Sequence, residues 1–323
     1  MDFLNILFNI LTSGLPCCLI AIGVFLTFRL LDFADMTAEG SFLLSASMTA
    51  ACIYIGINPF LATFLGMLIG AVCGFVTGCL NRLLKIPKLL SGIITLTASA
   101  SLALLVMGIS SSKELFISQI PLSLNTHQTI YSVFYPKTNP LSPFPLNKLI
   151  ESLVMIVAVS ITMVAVYYFF GTEYGMAIRA TGMNEKMAKS QGINTNIACI
   201  TCVSISNALI GLGGALYVQD TLSVGAGNAA GYLVIGLASI LIGEAIFGKR
   251  SFKNWLISVA LGAILYFTII TIAIKLGLPT QLKSLLYAIL ITIALCIPLI
   301  KSGITNTFKR VRLFFANNLG GRN

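Results

Sequence analysis

Polarity divides the chain into apolar runs separated by short polar junctions. A hydrocarbon core about 30 Å thick takes about 20 helical residues to cross. Runs of that length lie near residues 5–28, 60–81, 89–109, 149–170, 197–219 and 254–274. Three shorter apolar stretches, near 40–57, 232–247 and 284–300, are flanked by Gly, Pro or polar residues, as expected of broken or tilted helices. The pattern predicts an all-α, polytopic membrane helical bundle of about nine transmembrane helices, some broken or re-entrant, forming a single transmembrane domain over 1–323.

Three polar segments stand out from this pattern: 111–148, 171–196 and 301–323. Cytoplasmic loops near helix ends collect Lys and Arg. With 171–196 placed inside, all 20 basic residues except Lys113, Lys137, Lys148, Lys275 and Lys283 fall on the cytoplasmic side. The segment 111–148 then becomes an extracytoplasmic loop and 301–323 a basic cytoplasmic tail. The amino terminus is outside, unless residues 36–57 form a re-entrant loop, which moves the start of the chain inside.

Composition agrees with a chain solvated mostly by hydrocarbon: 57% apolar residues, 9% charged and a mean hydropathy of +0.95. Apolar segments recur along the chain, unlike the single apolar region of a secretory signal, so the first segment is expected to be retained. The net charge of +10 is dispersed over helix ends instead of forming a stripe interleaved with aromatics. No nucleic-acid partner is therefore expected. The tail sequence Lys309-Arg-Val-Arg312 suits anionic lipid of the inner leaflet.

The eight cysteines, Cys17, Cys18, Cys52, Cys73, Cys79, Cys199, Cys202 and Cys296, all fall in apolar segments. That placement fits buried thiols, including the Cys199–Cys202 pair, which has redox spacing but no βαβ context. The single histidine, His127, lies in the outer loop without companion ligands, so no metal site is expected. Gly243-Glu-Ala-Ile-Phe-Gly-Lys-Arg250 begins like a phosphate-binding loop, but Arg250 stands where Ser or Thr must hold magnesium and no strand precedes it. Nucleotide hydrolysis is not expected of this chain, nor is any cofactor.

Gly66, Gly70, Gly74 and Gly78 form overlapping Gly-x-x-x-Gly units on one helix face, which allow close backbone approach. They suit a helix contact within the chain or a seam between subunits. Gly211-Leu-Gly-Gly214 gives a second small-residue face. The outer loop holds Pro121, Pro136, Pro140, Pro143 and Pro145, which stiffen it either as a platform for a partner or as a solvated connection. Glu244 sits at a Gly-rich helix end, where it can pair with Lys249 or Arg250, reach interfacial water, or serve a site.

The polar segment Gly171–Asn194 resembles the cytoplasmic coupling segment of permease subunits from type II ABC importers, the class that includes branched-chain amino acid, ribose and nucleoside permeases. Thr172, Gly175, Arg179, Ala180, Gly182, Asn184, Ala188, Gly192, Ile193 and Asn194 carry the likeness, followed by Gly211-Leu-Gly-Gly214. A second block, Phe28–Phe42, is similar to permeases assigned to tryptophan or tyrosine uptake, where Asp-Leu-Thr-Val-Asp-Gly-Ser-Phe is usual. Met36 and Glu39 depart from that form.

The resemblance implies a non-catalytic, multi-pass subunit of a bacterial cytoplasmic membrane. It also implies a second permease chain, identical or related, a cytoplasmic ATPase that binds the ATP and magnesium, and a separate extracytoplasmic solute-binding protein. The expected solute is an amino acid of the tryptophan or tyrosine type, with a nucleoside or sugar as the alternative. Glu173, Arg179, Asn184 and Glu185 are the expected ATPase contacts, with Ala177, Ala180 and Gly182 allowing close approach. Polar residues at membrane depth are costly to leave in lipid. Asp35, Thr37 and Glu39, at the break before the second helix, and Asn207 and Gln219 are therefore candidates for a translocation path. Asp32 and Asp35 also suit interfacial caps near Arg29. A secondary transporter or channel is the competing class, and it more often places several acids deep in the membrane.

Overall fold

A computed structural model of the 323-residue chain describes residues 2–110, 119–121, 128–134, 146–225 and 231–277, with isolated positions at 285–286, 288–289 and 292. His127, Cys296, the apolar stretch 284–300 apart from those positions, the tail 301–323 and most of the loop 111–148 lie outside the described residues.

The described part is a helical bundle. In chain order it comprises α1 (Asp2–Phe25), a π-helical turn (Leu26–Leu30), α2 (Thr37–Tyr54), α3 (Pro59–Arg82) and α4 (Lys88–Ser110). There follow β1 (Gln119–Pro121), α5 (Ile130–Phe134), α6 (Leu146–Gly171), α7 (Glu173–Met183), α8 (Glu185–Ser190) and α9 (Thr195–Thr221). The last elements are β2 (Ser223–Gly225), α10 (Tyr232–Phe247) and α11 (Phe252–Lys275).

Among the described residues, six segments are long and apolar enough to cross a membrane: Ile10–Leu30, Pro59–Arg82, Lys88–Gly108, Lys148–Gly171, Thr195–Thr221 and Phe252–Lys275. They coincide with the six long runs of the sequence pattern. Two of the short runs are α2 and α10, so the expected count of nine is approximate. The protein is a multi-pass membrane protein.

Burial sorts the helices into layers. The apolar window of Ile10–Leu30 is 89% buried against 28% for those of α4 and α6, so the first helix is central and α4 and α6 are peripheral. The second inner helix is α9, whose small-residue faces let its neighbours approach closely. Gly70 of α3 abuts the Asn207 carbonyl, Gly74 that of Val203, and a Cβ on Gly78 would stand 2.9 Å from Ile200 Cα. Gly66 abuts Thr49 of α2. The four-glycine face therefore packs inside the chain. On α9 itself, Gly214 lies against the Phe42 carbonyl of α2 and Gly213 against the Pro16 carbonyl of α1.

The near match to a phosphate loop has a packing role. Gly243 of α10 abuts the Ser258 carbonyl of α11, and Gly262 of α11 abuts the Ser239 carbonyl of α10, so the two helices cross on reciprocal glycines. Gly248 ends α10 with φ +77°, a conformation that side chains rarely adopt.

Local chemistry sets the interruptions. Pro59 occupies the first turn of α3, and the Asn58 carboxamide accepts from Phe60 N at 3.0 Å, which starts that helix immediately after α2. The polar segment 171–196 is two short helices, because Asn184 (φ −157°, ψ 99°) leaves helical geometry and caps α8 by accepting from Met187 N at 3.1 Å. Thr172 caps α7 and Asn194 caps α9 in the same way, at 3.2 and 3.3 Å. β1 and β2 pair antiparallel, with Ile120 opposite Val224, and join the outer loop to the end of α9.

Candidate functional site

Two constellations gather functional side chains: a buried polar node among α2, α3 and α9, and a docked pair of short helices at the basic end of the bundle.

The node begins where the chain leaves the π turn. Asp35 lies just before α2, and its Oδ1 accepts from Thr37 N at 2.9 Å. Its Oδ2 accepts from Asn207 Nδ2 of α9 at 2.7 Å. Asn207 Oδ1 in turn accepts from Ser41 Oγ of α2 at 2.6 Å. Thr37 and Thr77 of α3 share a hydroxyl–hydroxyl bond of 2.7 Å. Asp35 is 5% exposed, and Thr37, Ser41, Thr77 and Asn207 are fully buried. Each of these side chains is hydrogen-bonded, as a carboxylate and a carboxamide at this depth require.

The five expected path residues do not form one site. Asp35, Thr37 and Asn207 meet in the node. Glu39, one turn along α2, accepts from Gly231 N at 3.0 Å and ties α2 to the start of α10. Beside that junction Phe42 stacks on Tyr232 with centroids 4.0 Å apart, and Tyr217 lies edge-on to Tyr232 at 5.6 Å. Gln219 is on α9 some three turns beyond Asn207, about 18 Å along the helix. It donates to Thr63 Oγ1 at 2.8 Å and accepts from Ile130 N at 3.0 Å.

Asp32 is exposed with φ +49°, and its carbonyl accepts from Lys88 Nζ at 2.8 Å. Arg29 pairs with neither aspartate. It reaches Glu244 of α10 at 2.6 Å, and Glu244 also accepts from Trp255 Nε1 of α11 at 2.9 Å. The expected pairing of Glu244 with Lys249, Arg250 or interfacial water is thus replaced by a three-element junction. Glu244 is only 11% exposed, and two cross-bundle donors offset its desolvation.

At the basic end, α7 docks by close backbone approach: Gly182 abuts the Leu30 carbonyl, and Gly175 abuts the Phe169 carbonyl. Arg179 places its guanidinium 4.8 Å above the Phe252 ring. Ala177 and Ala180 are half-buried, whereas Glu173 is exposed in the first turn of α7. Glu185 meets Arg82 at 2.7 Å and Lys189 at 2.9 Å. Its carboxyl is held below the usual range chiefly by the Lys189 hydrogen bond; burial opposes this, and the Arg82 hydrogen bond and charge add to the lowering.

Asn184 and Glu185 are thereby committed to a cap and to ion pairs. Apolar side chains project instead: Met183 is 89% exposed, Met187 61% and Met176 51%. Sequence reading passed over these methionines because it weighed charge in a polar segment. The signal was present, since several methionines within one short polar segment make the adaptable apolar surface that binding sites use.

The described cysteines are free, and no cluster of three or more potential metal ligands occurs among the described residues.

Residues 6–295 match the family described as branched-chain amino acid transport system / permease component. Among curated proteins, the chain is 33% identical over 283 residues to a tyrosine transport system permease protein of Clostridioides difficile, covering 88% of each chain. It is 25% identical over 210 residues to the nucleoside ABC transporter permease protein NupC of Lactococcus lactis, covering 63% of this chain and 61% of that one. It is 23% identical over 297 residues to the galactofuranose transporter permease protein YtfT of Escherichia coli, covering 91% and 79%. No solved structure matches.

Proposed function

Because the chain belongs to the family of permease components of branched-chain amino acid transport systems, we propose that it is the membrane-spanning subunit of an ATP-driven importer for an amino acid of the tyrosine or tryptophan type. The solute reading draws on the 33% identity to a tyrosine permease over 88% of the chain. Nucleoside and galactofuranose permeases at 23–25% identity favour the second reading, a nucleoside or sugar. The subunit works with a cytoplasmic ATPase, an extracytoplasmic solute-binding protein and a second permease chain.

One observation carries the coupling role. The α7–α8 pair projects Met176, Met183 and Met187 from an otherwise polar surface while its opposite side is locked to the bundle through Gly182. A free solvated helix gains nothing from exposed methionines, whereas a partner groove would bury them at about 25 cal/mol per Å². In this reading Glu173 and Arg179 border that surface, Ala177, Ala180 and Gly182 set the approach to the bundle, and Asn184 and Glu185 hold the angle between the two helices.

The linkage to the interior is short. Gly182 touches the chain at Leu30, and five residues later the same segment carries Asp35 into the node with Asn207. Motion of α7 therefore acts on the start of α2 through six residues. A motor biases such an equilibrium only through contacts that differ between states.

The test is ATP-driven uptake of labelled tyrosine and tryptophan in vesicles holding the permease, its ATPase and its binding protein. Met183→Glu is expected to cut uptake at least tenfold with normal permease assembly, and Gly182→Leu to leave ATP hydrolysis running without uptake. Uptake that survives Met183→Glu refutes the docking surface. Uptake that persists without ATP and follows an ion gradient refutes the importer.

A further inference from the structure

Next to α7, between α6 and α11, two clefts share the wall made by Tyr167 and Tyr168. The first, of about 310 Å³, is lined by Met163, Val164, Leu256 and Ile257, with Lys253 at its rim. The second, of about 430 Å³, is lined by Thr172, Arg179, Ser251 and Phe252. The order follows the helices. Met163 and Ile257 lie deeper than the helix ends by about one to two turns, the tyrosines come next, and the cations and hydroxyls close the basic end.

The arrangement has the polarity profile of a lipid: an apolar trough, an aromatic belt at the boundary and a cationic cup. Every charged residue lining the two clefts is a cation. Arg179 rests on Phe252 and has no carboxylate partner among the described residues. Ser251 makes no side-chain hydrogen bond in capping α11. Lys249 and Arg250 stand next in the chain to Ser251 and raise the local positive charge.

We infer that this paired cleft seats one anionic phospholipid of the cytoplasmic leaflet, with an acyl chain along Val164 and Ile257 and its phosphate among Arg179, Ser251 and Lys253. A second copy of the chain suits the site less well, because an isologous contact would bring the same cations toward each other. A lipid seated there would contact α6, α7 and α11 together and so brace the docked segment. The inference rests on the reading of the basic end as cytoplasmic only in naming the leaflet.

The chain has a single tryptophan, Trp255, on α11 between Phe252 and Leu256, which line the two clefts. The purified full-length permease is titrated with phosphatidylglycerol or phosphatidylcholine brominated on the acyl chains, and quenching of Trp255 fluorescence is followed. Half-quenching is expected at about a fivefold lower mole fraction of the anionic lipid, about the worth of one basic residue near an anionic surface. Lys253→Gln should reduce that preference to about twofold or less, and Lys275→Gln, at the other end of α11, should leave it unchanged. Tyr168→Ala should weaken quenching by both lipids.

Equal quenching by the two lipids overturns the inference, as does a preference untouched by Lys253→Gln. Absence of quenching by either lipid, with disulfide cross-linking between copies carrying Tyr168→Cys and Ile257→Cys, assigns the cleft to a second copy and also overturns it. The measurement uses neither nucleotide nor solute, so its failure leaves the transport reading standing.

Discussion

Replacing Asn207 by alanine tests whether the node holds α2 against α9. The substitution removes the donor to Asp35 and the acceptor of Ser41, two interhelical bonds of 2.7 and 2.6 Å. Interhelical hydrogen bonds in membranes average about 0.6 kcal/mol, with a maximum near 1.7, which gives about 1–3 kcal/mol for the pair. The buried carboxylate of Asp35 then loses one of its two protein donors, and the desolvation of an under-paired charge raises the loss toward the upper end, about 3 kcal/mol. Asp35→Ala removes the charge and the Thr37 turn together, at about 2 kcal/mol.

The double variant has no orphaned carboxylate, so its loss should fall short of the sum by about 1–2 kcal/mol. Equilibrium unfolding in mixed micelles of mild and denaturing detergent measures all four corners of that cycle. Independent sites add to within about 0.3–0.5 kcal/mol. A coupling below about 0.3 kcal/mol would show that the node is a set of separate contacts, and the energetic reasoning would fail.

Two further predictions concern the basic end. Glu244→Ala leaves Arg29 and the Trp255 indole N–H without their shared acceptor. The Arg29 side chain is 30% exposed, which discounts the loss of about 3–5 kcal/mol expected for a broken buried pair to about 2 kcal/mol. Glu244→Gln should recover part of this through Trp255, read by the same unfolding titration. The Glu185 carboxyl is depressed in the folded state by Lys189 and Arg82. Its contribution is therefore present above the unfolded carboxyl value of about 4.3 and lost as pH falls through the folded value. Hydrogen exchange of α8 should rise on acidification below about pH 4 in the native chain, beyond the intrinsic pH effect, and Glu185→Gln should abolish that step.

Much of the fold was legible because period and length decide it. Runs of about 20 apolar residues have few alternatives to a spanning helix, and Gly66, Gly70, Gly74 and Gly78 announce a close approach on one face. The same pattern does not say which helix approaches. That depends on a complementary small residue on the partner, here Gly211 of α9, which lies against Gly66 and Gly70. Glu244 illustrates the limit. Local sequence offers Lys249 and Arg250, yet Arg29, 215 positions away, wins, because α1 is the central helix and its end meets α10. The break at Asn184 is hard to read from sequence for a different reason. An asparagine within a polar, helix-permissive segment looks like a helical residue until its side chain is seen capping the next turn.

The candidate site was legible in its residue types and not in its grouping. Asp35, Thr37, Glu39, Asn207 and Gln219 were chosen because polar groups at membrane depth need partners, and each of them has one. That shared requirement cannot tell a path from a joint. What geometry adds is the grouping: Asp35, Thr37, Ser41, Thr77 and Asn207 close on one another with almost no exposure, whereas Glu39 binds the first residue before α10 beside Phe42 and Tyr232. The node is closed in this structure, and under the proposed coupling role it is the contact that a lever acting through Leu30–Asp35 has to open. Among the path candidates and the described residues, Glu39 makes the bond that reaches the cap of α10, Gly231. Any parting of α2 from α10 must therefore break the Glu39–Gly231 bond and the Phe42–Tyr232 stack together, so the two contacts act as a single latch.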